Sequence, residues 1–210
     1  MLPELFFISI LNIIKSREGR CITIEQSHND KWLIVYSSVT GNTQQIAEAL
    51  QEGLGARNAD LFSIKEKNSF SAADYENIAV GYWLTRGAPD AGIQEFLHGL
   101  HNKTIILFQT QGSMLGSEHS VTAFARAALH LAPDNTVLGT FASQGKINPA
   151  LLARRKADSN SPHSANERNK RRWAAAASHP DEGDLQRARE FTAAMQHKLE
   201  LRRKYLAQKK

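Results

Sequence analysis

From Lys31 onward the chain alternates short apolar runs with segments whose apolar residues recur at helical spacing, and few architectures accept that pattern. Trp32-Leu33-Ile34-Val35-Tyr36 is a continuous apolar run of strand length. Such a run predicts a strand covered on both faces. Thr43 to Leu54 then places Ile46, Ala49, Leu50 and Leu54 on one helical side, with Gly53 and Gly55 as stop signals. Further strands are predicted at Ala59–Ile64, Ile78–Tyr82, Thr104–Phe108 and Thr136–Phe141. Helical spacing recurs over Ile93–Leu100, Val121–Leu131 and Asp184–Leu199. Strands that alternate with helices through short Gly-containing turns predict an α/β fold, a parallel sheet with helices on both faces.

A chain of 210 residues with 41% hydrophobic residues supports one such domain plus extensions, not two domains. Its single cysteine, Cys21, excludes an intramolecular disulfide and a Cys-based metal cluster within one chain, and fits a cytoplasmic location. The net charge of +5 raises the question of a nucleic-acid or membrane partner until the charge is located. Residues 151–210 carry 15 Lys and Arg against 7 Asp and Glu, whereas residues 31–150 carry 8 against 10. The basic character belongs to the C-terminal part, and the domain proper is nearly neutral.

Three stretches stand apart from the alternating pattern. The apolar start, Leu2 to Ile14, has Glu4 where a signal peptide needs positive charge and is too short for a bilayer, which needs about 20 residues. Residues 1–30 are therefore read as an extension appended to the domain, either not native to it or disordered, with an interfacial or partner-binding helix as the alternative and no membrane span. Residues 157–182, with Asp158 to Pro162 and the run Arg168 to Arg172, read as a basic loop insertion in a domain over 31–197. Residues 198–210 read as a basic tail.

The chemistry is concentrated at Ser37-Ser38-Val39-Thr40-Gly41-Asn42-Thr43, between the first strand and the first helix. A helix start offers unpaired N–H donors and a partial positive charge. The hydroxyls add neutral donors, and Gly41 lets the backbone wrap close to an anion. Such a loop can hold a phosphate without lysine or arginine. The bland alternative is an ordinary helix cap, since Ser and Thr are favoured there. The loop lacks both the Gly-Lys-Ser/Thr ending of an NTPase loop and the three spaced glycines of a dinucleotide fingerprint, which disfavours ATP and NAD.

Ser38-Val39-Thr40-Gly41-Asn42-Thr43 resembles the FMN phosphate loop of flavodoxins, Thr/Ser-x-Thr-Gly-Asn-Thr, and the resemblance covers roughly residues 31–195. It implies a flavodoxin-like, five-stranded parallel sheet of order 2-1-3-4-5, with FMN over the carboxyl ends of the strands. It also implies two loops flanking the flavin, one over Tyr82-Trp83-Leu84 to Pro89 and one at Thr110-Gln111-Gly112. In this reading Trp83 or Tyr82 stacks on the ring, Leu84 and Gly87 belong to the same loop, and Gly87 frees the peptide to turn toward the flavin. Thr110, Gln111 and Gly112 face its pyrimidine edge. The closing stretch, Trp173 and Ser178 to Leu185, is similar to a compact flavodoxin-like group that includes electron-delivering partners of bacterial bilirubin reductases. A redox partner, a reductase docking on the basic C-terminal region, is the implied partner. Flavodoxins are typically acidic, so this basic chain departs from the usual docking surface.

On this reading no side chain is catalytic and no metal is bound. His98 and His101 share a helix face without acidic or Cys partners nearby, so they read as solvated or capping residues. No Ser, His and Asp follow a recognisable hydrolase order. Arg168 to Arg172 form a short basic run with no nucleic-acid-binding fold around it. Two rival functions stand beside an electron carrier. One is an FMN-dependent NAD(P)H:quinone-type oxidoreductase, which NAD(P)H oxidation would reveal. The other is a flavin-free phosphate-binding interaction module, which would be colourless and ignore added FMN.

Overall fold

The computed structural model describes residues 31–158, 160 and 163–209, together with the backbone of 12–15 and 21–24. Of the N-terminal extension it shows two strands, β1 (Asn12–Lys15) and β2 (Cys21–Ile24), paired antiparallel with Asn12 opposite Ile24. The rest of 1–30 lies outside the described residues.

The domain is a five-stranded sheet of β3 (Trp32–Tyr36), β4 (Ala59–Ser63), β5 (Asn77–Trp83), β6 (Thr104–Gln111) and β7 (Thr136–Gln144). All pairs are parallel, in the order β4-β3-β5-β6-β7. Numbered within the sheet this is 2-1-3-4-5, the order expected. Because alternate side chains of a strand point to opposite faces, β3 divides its apolar run between two cores. Trp32 and Ile34 join α1 (Asn42–Leu54) and α6 (Glu182–Ala207) on one face. Leu33 and Val35 join α2 (Ala91–His98) and α3 (Glu118–Ala128) on the other.

Helix α6 opens on a capping box, Asp181 and Asp184 each accepting the other's backbone N–H at 2.9 Å. It presents Leu185, Ala188, Phe191, Met195 and Leu199 to the core, and Trp32 Nε1 donates to Gln196 Oε1 at 2.9 Å. Its approach to α1 is close at Gly53, which faces Thr192 and the backbone of Arg189. The register of β7 against β6 shifts between Ile105 and Ile106, so Leu138 has no partner across the ladder. Lys198 Nζ donates to the Leu138 carbonyl at 2.6 Å, and Arg202 Nη2 to Thr136 Oγ1 at 3.2 Å.

The segment read as a basic loop is partly helical. Helix α5 (Glu167–Ala176) starts at Asn166, whose side chain accepts the Asn169 N–H at 2.8 Å, and it buries Asn169, Trp173 and Ala176. Positions spaced three to four apart fall on one side, so the basic run occupies the solvent side of an amphipathic helix. Helix α4 (Pro149–Ala157) precedes it, with Asn148 as cap and Pro149 at the first helical position, a pair that marks a helix start in the sequence. The basic tail does not begin where the domain ends: α6 continues unbroken through 198 to Ala207, and Leu199 is buried.

Candidate functional site

The loop from β3 to α1 is fixed from several sides. The Ser37 N–H donates to the Gly81 carbonyl at 2.9 Å, and the Ser37 hydroxyl donates to Asp90. Asp90 also caps α2 through the Ile93 N–H, so one carboxylate ties the loop to the next helix. Asn42, buried, donates from Nδ2 to Thr40 Oγ1 at 3.0 Å and to the Lys146 carbonyl at 2.9 Å. Thr43 Oγ1 lies 2.8 Å from Thr110 Oγ1 at the end of β6.

The start of α1 separates an ordinary cap from an anion site. Gly41 is the N-cap with φ +83°, a left-handed conformation that glycine adopts freely, and no side chain caps the helix. Ser38 accepts the N–H of Gly41 itself at 3.1 Å, while Thr40 stands exposed. The hydroxyls of this loop therefore do not serve as the cap that Ser and Thr usually provide. The first-turn N–H groups and the partial positive end of the helix remain directed at the loop.

Two further loops meet at the same end of the sheet. After β5, Thr85 and Ala88 exchange backbone hydrogen bonds at 2.9 and 3.1 Å around Arg86 (φ +52°) and Gly87 (φ +77°). Positive φ at both central residues is the signature of a type I′ turn. Arg126 of α3 clamps this turn, donating from Nη1 to the carbonyls of Arg86 and Gly87 at 3.3 Å each. Leu84 is joined to the other loop by its N–H, which donates to the Thr110 carbonyl at 3.1 Å. After β6, Gln111 uses its side-chain amide to hold the carbonyls of Met114 at 3.3 Å and Ser113 at 3.5 Å. Gly112 passes directly against Ile147, where a Cβ would fall 2.7 Å from Cγ1.

The structure separates the two aromatic candidates. Tyr82 is fully buried in the core on the α2–α3 face, and burial pushes its phenol above the ordinary tyrosine value. Its ring is thereby removed from the site. Trp83, the next residue, is half-buried and lines a recess of about 320 Å³ with Ser37, Ser38, Val39, Ser63 and Asp90. The side chains of Thr110 and Gln111 are committed to positioning, which leaves backbone groups and Gly112 to face a ligand.

Residues that pattern reading missed are Asp90 and Lys146 to Asn148. Asp90 stands directly before α2 and three residues before Ile93, and Asp is a favoured cap, so a start signal was present. Lys146 and Ile147 follow the fifth strand, at the same carboxyl end as the other loops, but no motif marks them. Away from these loops, His98 Nε2 lies 2.9 Å from His130 Nδ1, and His101 Nδ1 lies 3.1 Å from Asp134. His179, Asp181 and Asp184 lie close together, but both carboxylates are engaged in the capping box of α6 and Asp184 also pairs with Arg187.

These residues fit a planar nucleotide with one terminal phosphate. The uncapped start of α1 suits the phosphate, and Trp83 offers a flat apolar surface. Val39, Met114 and Leu115 are large apolar side chains left exposed on the loops at this end, 62, 66 and 42% accessible, which a planar ring would cover.

The sheet order, with loops converging where that order reverses, defines an α/β protein of the doubly wound class. A sequence profile of the flavodoxin domain matches residues 33–193, and the chain belongs to that family. It is 31% identical over 172 residues to the flavodoxin-like domain-containing protein BilS of Clostridioides difficile (strain CD3), covering 79% of this chain and 96% of the relative. It is also 31% identical over 188 residues to the protein of the same name from Clostridium symbiosum (strain WAL-14163), covering 80% and 93%. Among solved structures, oxidised flavodoxin 2 from Bacillus cereus superposes with a TM-score of 0.51 at 18% identity, covering 80% of this chain and 99% of that one. An archaeal flavodoxin superposes with a TM-score of 0.50 at 16% identity, covering 81% and 99%.

Proposed function

We propose that this chain binds FMN at the carboxyl end of its sheet and carries electrons to a partner reductase. The observation that carries the reading is the start of α1, where a hydroxyl-rich loop leaves the helix without a side-chain cap. Thr40, Ser38 and the amides of Gly41 to Thr43 would hold the phosphate by neutral donors, Trp83 would stack on the ring, and the backbone at Gln111 and Gly112 would meet its polar edge. When bound, FMN supplies the redox chemistry. The protein's own residues bind it, orient it and exclude water, and none acts as acid, base or nucleophile.

The likeness to two flavodoxin-like proteins named BilS supports the flavin-binding part of this reading, and the resemblance of the closing stretch, Trp173 and Ser178 to Leu185, supports the carrier role. The single cysteine supports a cytoplasmic setting. Among the described residues no helix is long and apolar enough to cross a membrane.

The test is an absorption spectrum of the purified protein, followed by release and identification of the cofactor. A yellow protein that releases FMN supports the proposal, and Thr40→Trp, at an exposed position, should weaken FMN binding without unfolding the chain. A colourless protein that ignores added FMN overturns it. Rapid NADH or NADPH oxidation with quinone, without any partner, would make it an oxidoreductase instead.

A further inference from the structure

The positive charge of the C-terminal part is divided between two surfaces of different character. On α6 most of the basic side chains are engaged within the chain. Arg187 pairs with Asp184, Arg189 with Glu52 and Glu182, Lys198 holds the Leu138 carbonyl and Arg202 holds Thr136. On α4 and α5 the reverse holds for every cation but Lys170, which pairs with Glu167 at 2.8 Å. Arg154, Arg155, Lys156, Arg168, Arg171 and Arg172 make no ion pair among the described residues, and Arg172 Nε is buried without a hydrogen-bond partner. Over residues 149–176 the sequence holds seven Lys and Arg against two Asp and Glu.

The two helices press these charges together. Burial and then the like charges of Arg172 and Arg154 hold the Arg155 guanidinium below its ordinary value. Each exposed cation of the patch keeps a repulsion that an opposite surface would relieve.

The patch also has a definite place. Leu152 of α4 and Trp173 of α5 wall a recess of about 290 Å³ whose other lining includes Thr40 of the phosphate loop, Lys146 and Ile147. A macromolecule seated on these helices therefore reaches the end of the sheet where the cofactor loops lie. It would meet partly exposed Leu151 and Leu152 on the same helix as Arg154 and Lys156, a mix closer to a protein interface than to a phosphate-tracking stripe.

Resting on the electron-carrier reading, we infer that α4 and α5 form the docking surface for the acidic face of a redox partner protein, and that the basic end of α6 does not.

The test uses the full chain loaded with FMN and photoreduced, with two haem proteins as probes: cytochrome b5, which is acidic, and cytochrome c, which is basic. Arg154→Glu, Lys156→Glu and Arg171→Glu are combined in one variant, and Arg202→Glu, Lys204→Glu and Lys209→Glu in a second with the same change of charge. The first variant should reduce cytochrome b5 roughly tenfold more slowly than the parent at low ionic strength, with the difference vanishing at high salt. It should not slow the reduction of cytochrome c. The second variant should slow cytochrome b5 less than twofold. Equal slowing by both variants, or no slowing by the first, overturns the inference. So does loss of binding to a 20-base-pair DNA duplex by the first variant without loss of the cytochrome b5 rate, which would make the patch a nucleic-acid surface. A chain that holds no flavin refutes the carrier reading alone, because calorimetric binding of cytochrome b5 still compares the two variants without the cofactor.

Discussion

The hydroxyls of Thr43 and Thr110 face each other at 2.8 Å in the buried layer beneath the β3–α1 loop, joining the first turn of α1 to the end of β6. Thr43→Val leaves the Thr110 hydroxyl buried without its partner and should destabilise the protein by about 1–3 kcal/mol. The double change Thr43→Val with Thr110→Val should cost less than the sum of the two single changes, because neither polar atom then remains unpaired. Urea unfolding of the four proteins reads the cycle, and strict additivity would show that the contact carries no energy.

Gly87 should resist replacement because of its backbone conformation, since the Arg126 and His119 side-chain ends beside it can shift. Its φ is +77°, and an added Cβ would lie 2.6 Å from Arg126 Nη1 and 2.9 Å from His119 Cε1. Gly87→Ala should lose about 1–3 kcal/mol through backbone strain alone. Arg126→Gln, which removes the clamp but keeps the backbone, should lower the melting temperature less.

At Gly53, helix propensity and packing oppose each other. Alanine in a helix is favoured over glycine by about 1 kcal/mol, so Gly53→Ala would stabilise an isolated α1. Here the added Cβ would meet the Arg189 carbonyl oxygen at 2.5 Å and its Cα at 2.8 Å, both backbone atoms of α6. Overpacking against backbone costs about 1–3 kcal/mol, so the net change should be destabilising. A raised melting temperature would show that α6 sits farther from α1.

His130 should make stability depend on pH. Burial first, and then the neighbouring His98, lower its pKa. A histidine lowered in the folded state binds its proton more readily when unfolded. Its contribution is therefore fully present above the unfolded value of about 6.5 and is lost as the pH falls through the lower folded value. His98→Gln removes one of the two causes and should move the His130 titration upward in an NMR titration, shrinking the acid sensitivity. An unmoved titration would mean that His98 contributes nothing.

The legible parts of the chain were those where local pattern and packing agree. Trp32 to Tyr36 could be read as a two-faced strand because every residue in it is apolar, and Ser38 to Thr43 because its position after that strand is itself informative. Tyr82 and Trp83 show the limit. Adjacent residues of a strand face opposite ways, but only the registered sheet says which way, and it sends Tyr82 inward. Arg168 to Arg172 resembled a loop because five polar residues outweigh local propensity on paper, whereas Trp173 and Ala176 anchor them as a helix. Lys146 and Ile147 carried no signal, since their part depends on contacts with Asn42 and Gly112 that lie 104 and 35 positions away in sequence.

The irregular start of β7 bears on how copies of this protein behave together. An outer strand with free backbone groups invites another chain to extend the sheet. At Leu138 the ladder skips a residue, and Lys198 takes the carbonyl that a neighbouring strand would seek, with Arg202 beside it at Thr136. Lys198 and Arg202 thus place two cations of α6 over backbone and side-chain groups that an added strand would need, the kind of charged cover that blunts an open sheet margin.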